Sequence, residues 1–145
     1  MPVLEQVLEK YPQDVKVVFK NFPLQNHKFA MKAAVAALAA ESQGKFWEFH
    51  DLLFENYNKI NDQKIQDIAL ALGLNQEEYE KKKKDPAIQA KVRRDLSDGR
   101  RAGVRGTPAV FINGSRLRDR SLKGFQAAID KKLEKLGKTA TKPSS

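Results

Sequence analysis

The sequence first closes off thiol chemistry. Its 145 residues include no cysteine, so the chain by itself offers no thiolate nucleophile, no disulfide and no thiolate metal site. Two histidines, His27 and His50, are the next candidates. Neither belongs to a helical His-x-x-x-His pair or stands beside carboxylates at ligand spacing, so no metal and no cofactor is expected. His50 lies in FWEFHDLLF, where a hydrogen-bonded imidazole at the edge of a core is expected. His27 falls where a helix starts and reads equally well as a solvated loop residue. No Ser-His-Asp, Walker or GxGxxG pattern is present.

Between Lys81 and Arg101 nine Lys or Arg face three Asp, nine minus three, or +6, within a chain whose formal net charge is +9. Such a cluster could hold phosphates, but Tyr79 is the only aromatic nearby and no nucleic-acid-binding module is apparent. A solvated helix face accounts for it better, and nucleic acid is not the expected partner. The cluster of Phe46, Trp47 and Phe54 reads as core rather than as a ligand pocket.

The densest run of conformational signals is GVRGTPAVFING, Gly103 to Gly114. Proline is the residue for which a cis peptide bond is cheap, about 0.5–1 kcal/mol above trans, so Thr107-Pro108 is a plausible cis turn. Pro108 has no amide hydrogen and is expected at the first position of a strand over Ala109 to Ile112. Asn113-Gly114 predicts a type I′ hairpin, because both central residues of that turn need positive φ. The return strand then runs from Ser115 to Arg118.

These residues need elements to hold them. Val3, Leu4, Val7, Leu8 and Tyr11 make a one-sided helical stripe from Pro2 to Pro12. Val15 to Phe19 (VKVVF) predicts a buried strand. A helix capped by Asn26 is expected to reach about Gln43 and end at Gly44, and another to run from Lys45 to about Tyr57. Asp62 is expected to cap a segment burying Ile65, Ile68, Ala69 and Leu72. Asn75 with Glu78 predicts a capping box for a short helix through Lys84. Asp85-Pro86 predicts the N-cap and first residue of a helix to about Ala102, with Ala87, Ile88, Ala90, Val92 and Leu96 inward. Ser121 should cap a last helix with Leu122, Phe125, Ile129, Leu133 and Leu136 on one face. No apolar run approaches the roughly 18 residues of a membrane span, and no secretory signal pattern opens the sequence.

GVRGTPAVFING resembles the DsbA-like branch of the thioredoxin superfamily, whose members place a Thr-cis-Pro turn, a strand and an Asn-Gly hairpin late in the chain. PVLEQVLEKYPQDVKVVFKNFPL (Pro2 to Leu24) and GKFWEFHDLLFEN (Gly44 to Asn56) are similar to the same family, in the expected order. The resemblance, from Pro2 to about Leu136, implies an α/β thioredoxin-like domain over residues 1–137 with a helical block inserted at about 26–102; the short polar run Lys138 to Ser145 (KTATKPSS) reads as a flexible tail. Family members carry a first, central strand and a Cys-x-x-Cys turn ahead of the helix that here begins at Pro2; neither is found in this sequence. Two expectations follow for the strand edges left open. Val15 to Phe19 pairs directly with Ala109 to Ile112 in antiparallel fashion, or a second chain covers the edges in an intertwined homodimer.

The resemblance also implies a function. In the family a cysteine thiolate at a helix N-terminus attacks a substrate disulfide, and the residue before the cis-proline pairs with an extended substrate peptide. Thr107 and Pro108 are therefore the expected substrate-binding residues, protein or peptide substrates in extended conformation the expected partners, and no catalytic residue can be assigned. One expectation is that the chain is part of a longer periplasmic or extracytoplasmic thiol-disulfide oxidoreductase, because Met1-Pro2-Val3 begins within what resembles the active-site helix. The other is a redox-inactive peptide-binding or scaffold protein.

Overall fold

A computed structural model describes residues 2–24 and 27–137. The chain divides into two compact units, one formed by Met1–Phe19 with Thr107–Ser145 and the other by Lys20–Gly106.

The first unit holds α1 (Pro2–Lys10), a hairpin of β1 (Val110–Ile112) and β2 (Ser115–Leu117), and a last helix, named α7 because five helices of the other unit intervene (Leu122–Lys135). Its core is most of the stripe that periodicity predicts: Val7 of α1 and Tyr11 just past its end meet Phe125, Ile129 and Leu133 of α7, with Val3 and Leu4 partly buried, while Leu8 is exposed. The Tyr11 hydroxyl donates to Asp130 Oδ1 at 2.8 Å, a polar tie between the two helices. Burial and that carboxylate push the Tyr11 phenol up to about 12. Leu136 is 63% exposed, at the C-cap of α7 rather than on its buried face.

The hairpin pairs Val110 with Leu117, Phe111 with Arg116 and Ile112 with Ser115. Asn113 has φ 47 and Gly114 φ 83, the left-handed conformations a type I′ turn requires. Each strand is one residue shorter than its expected range, and Pro108 precedes β1 by two positions instead of opening it.

The expected strand at Val15 to Phe19 does not form. Among the described residues the sheet has two strands only, β1 and β2. Burial along residues 15–19 still alternates, odd positions half-buried and even positions exposed, as in an extended segment. Val15 packs on the α1–α7 core, while Val18 is 65% exposed. A β-rich composition supplies the alternation, but a strand also needs a ladder, and among the described residues β1 pairs on one edge with β2 and no ladder joins it to residues 15–19. Direct pairing of Val15 to Phe19 with Ala109 to Ile112 is therefore not what closes the sheet.

The second unit is all helical: α2 (Ala30–Glu41), α3 (Phe46–Glu55), α4 (Asp62–Ala71), α5 (Gln76–Lys83) and α6 (Pro86–Arg101). Val35 to Ala40 are all buried, so that stretch of α2 is covered on every side, and its alanines let α3, α4, α5 and α6 approach it closely. Phe29 precedes α2 without a side-chain cap, and Asn26 lies outside the described residues. Asn61, not Asp62, caps α4: its Oδ1 accepts the Lys64 amide at 2.7 Å, and Asp62 is the first helical residue. Asn75 and Asp85 cap α5 and α6, accepting the Glu78 and Ala87 amides, but the capping box is only half formed, since the Asn75 amide donates to Gln43 Oε1 at 2.8 Å.

On α6 the inward set is Ile88, Val92, Asp95, Leu96 and Gly99, and Ala87 and Ala90 are exposed. The segment after Lys20 lies along this face. Asp95 Oδ2 accepts both the Asn21 amide (3.0 Å) and its Nδ2 (2.9 Å), and a Cβ at Gly99 would stand 2.7 Å from the Phe22 ring.

Tyr79 is fully buried, stacked on Phe49 with centroids 6.1 Å apart. Burial raises its phenol to about 12, and its hydroxyl has no hydrogen-bond partner among the described residues. An unsatisfied buried hydroxyl costs about 1–3 kcal/mol, so Tyr79→Phe is expected to stabilise the protein by about 1 kcal/mol. A urea midpoint that stays put or falls would contradict this.

Candidate functional site

Thr107 and Pro108 lie at the foot of the hairpin, exposed, and the Thr107–Pro108 peptide bond is cis. No hydrogen bond engages the Thr107 amide or carbonyl among the described residues. Exposed main-chain groups of this kind are satisfied by water or by an added strand. The Pro108 carbonyl is occupied: Arg120 Nη1 donates to it at 2.8 Å, fastening the loop to the turn that leads into α7.

Beside this loop is an open depression of about 370 Å³ lined by Pro108, Ala109, Arg116, Leu117, Arg118 and Arg120. Arg116 in β2 and Arg118 just beyond its end both line the depression, and Leu117 between them also packs on the core of this unit. Among the described residues no carboxylate lines the depression. Asp119, the one acid in the SRLRDRS segment, is turned to the helix cap, where its Oδ1 accepts from Ser121 Oγ (2.7 Å) and the Ser121 amide (3.1 Å). The Ser121 hydroxyl and amide hold its carboxyl below the ordinary value. Composition alone assigns these arginines no site; the Arg-x-Arg-x-Arg alternation next to the hairpin is the signal in the sequence that points to them.

The other candidates stay apart from this loop. His50 is buried, with Nδ1 3.3 Å from Asp51 Oδ1, and packs among Phe54 (4.5 Å between ring centroids), Trp47 and Phe46. Burial lowers its imidazole below the ordinary value, against the opposing pull of Asp51. Trp47 and Phe54 are 45% and 56% exposed, so they are not the core residues expected. Only one stripe of a short helix can face α2, and Phe49 takes it. His27 is exposed. Among the described residues no group of three or more His, Asp or Glu is placed to hold a metal ion.

The basic interval is largely solvated and partly paired: Lys83 with Glu80, Lys91 with Asp95 and Arg101 with Asp98. No described helix is long and apolar enough to cross a membrane.

The model of the DSBA-like thioredoxin domain family matches residues 1–130. The chain belongs to that family. A DSBA-like domain with no cysteine has no thiol of its own with which to form a mixed disulfide. Its sequence is 29% identical to the probable disulfide bond formation protein D of Bacillus anthracis over 92% of this chain and 65% of that protein. It is 32% identical to the Na+/H+ antiporter NhaA 3 of Salinispora tropica over 79% of this chain, a match that spans only 18% of the antiporter. The fold resembles that of the thiol-disulfide exchange protein alpha-DsbA2 from Wolbachia pipientis, with a TM-score of 0.76 at 24% identity over 90% of this chain and 71% of that one. The thioredoxin-like DsbA architecture, mostly helical with a small sheet, is thus the one the sequence resemblance implied.

Proposed function

We propose that this DSBA-like domain binds protein segments in extended conformation along Thr107 and Pro108, the substrate-facing half of a thiol-disulfide exchange site. The observation that carries the reading is the exposed Thr107 amide and carbonyl, unpaired among the described residues beside a short hairpin. An extended peptide can pair with such groups as an added strand, with affinity from the main chain and selectivity from flanking side chains. Family membership supports the same placement, in an extracytoplasmic or periplasmic setting. The disulfide exchange itself requires thiolates from outside this sequence.

The test is an amide-resolved NMR titration of the full chain with an extended, cysteine-free peptide. The largest shifts are expected at Thr107, Ala109 and Val110. Shifts confined to α5 and α6, or none at millimolar peptide, would reject the reading. Insulin reduction by the chain with dithiothreitol is expected to match dithiothreitol alone.

A second copy is a further partner under this proposal, because the extended segment ending in exposed Val18 offers an edge that a homodimer could cover. A sedimentation mass that stays monomeric at rising concentration would exclude it.

A further inference from the structure

We infer that the segment bound at Thr107 is acidic: Arg116 and Arg118 form a specificity subsite for Glu or Asp side chains of an extended peptide. The inference rests on the peptide-binding reading above and adds the chemistry of the substrate. Three arginines line one depression of about 370 Å³ together with Pro108 and Ala109, the two residues that follow Thr107. None of the three makes an ion pair among the described residues. The nearest acid in sequence, Asp119, is committed to Ser121.

The arginines divide the work. Arg120 is held by the Pro108 carbonyl at 2.8 Å and positions the loop. Arg116 and Arg118, two residues apart around Leu117, line the depression, and no ion pair occupies their guanidinium groups among the described residues. Side chains of an added strand also recur every second residue on one face, so acidic residues at alternate positions match this pair in spacing as well as in charge. Guanidinium groups meet carboxylates through two parallel N–H donors, which favours a peptide acid over a diffuse counter-ion.

The experiment measures fluorescence anisotropy of the full chain with three labelled peptides that differ only at two alternate positions, carrying Glu, Gln or Lys. The Glu peptide is expected to bind about five- to tenfold more tightly than the Gln peptide, as two exposed ion pairs would give. The Lys peptide should bind more weakly still. Arg116→Gln with Arg118→Gln should erase the difference between Glu and Gln peptides while the Gln peptide binds as before. Arg118→Lys is expected to keep part of it. Glu and Gln peptides of equal affinity would overturn the acidic subsite and leave peptide binding standing, whereas no binding of any peptide would overturn both. A single-stranded oligodeoxynucleotide of matched charge that competes better than the Glu peptide would also overturn the proposal, in favour of a polyanion site.

Discussion

Asp95→Ala is expected to destabilise the helical unit by about 2–4 kcal/mol, the cost of leaving two donors of a buried asparagine without an acceptor. Asp95 is 5% and Asn21 4% exposed, so water cannot replace the carboxylate. Its Oδ2 takes the Asn21 amide and side chain, and Lys91 Nζ stands 3.2 Å away. Burial alone would raise the Asp95 carboxyl; the Asn21 hydrogen bonds and Lys91 outweigh it and hold the group below its ordinary value. A carboxyl depressed in the folded state contributes stability that is present above its unfolded pKa, about 3.9, and lost as pH falls through the folded value. Urea unfolding followed by Trp47, the single tryptophan, should therefore show the wild-type midpoint falling more steeply below about pH 4 than that of Asp95→Asn. Parallel acid profiles would refute the role given to this carboxylate. A midpoint unchanged in Asp95→Ala would refute the packing argument too.

Gly124→Ala is expected to destabilise the hairpin unit by about 1–3 kcal/mol, the usual cost of forcing a methyl into filled space. The sign is the informative part. In an exposed helix interior the same change stabilises by about 1 kcal/mol, because glycine loses more backbone entropy on folding. Here the new methyl would overlap the Asp119 main-chain carbonyl and crowd its Cβ at 2.8 Å, and a backbone group cannot rotate away as a side-chain tip does. Gly124 also donates its amide to Ser121 Oγ at 3.1 Å, so displacing it loosens the cap of α7. Hydrogen exchange should accelerate in the first turns of α7 and leave α2 to α6 unchanged. Slower exchange in α7 would show that the turn at Asp119 yields.

Helix ends were legible because capping is local. Asn75, Asp85 and Ser121 each satisfy an amide two or three residues on, and nothing distant is needed to decide it. Asp62 for Asn61 is an error of a single residue between two side chains with the same capping chemistry, whereas α2 begins after Phe29 with no side-chain cap at all. Exposure was less legible. Leu136, Trp47 and Phe54 have the right types for a core, but which side of a helix is covered depends on what arrives from elsewhere. Asp95 shows the converse: counted as one charge in a basic interval, it is the buried anchor of the segment after Lys20.

By itself the sequence determined the hairpin, through the positive φ that Asn113-Gly114 tolerates, the helices, through their periodicity and caps, and the absence of intrinsic thiol chemistry, through the absence of cysteine. Its three matching stretches also carried the family. Tertiary structure alone decided that Val15 to Phe19 is not a strand, that Asp95 is buried, and that Arg116, Arg118 and Arg120 line one depression beside Pro108. The physical reason is range. Caps and turns are settled by neighbours a few residues away, whereas ladders, burial and charge clusters depend on groups that only the folded chain brings together.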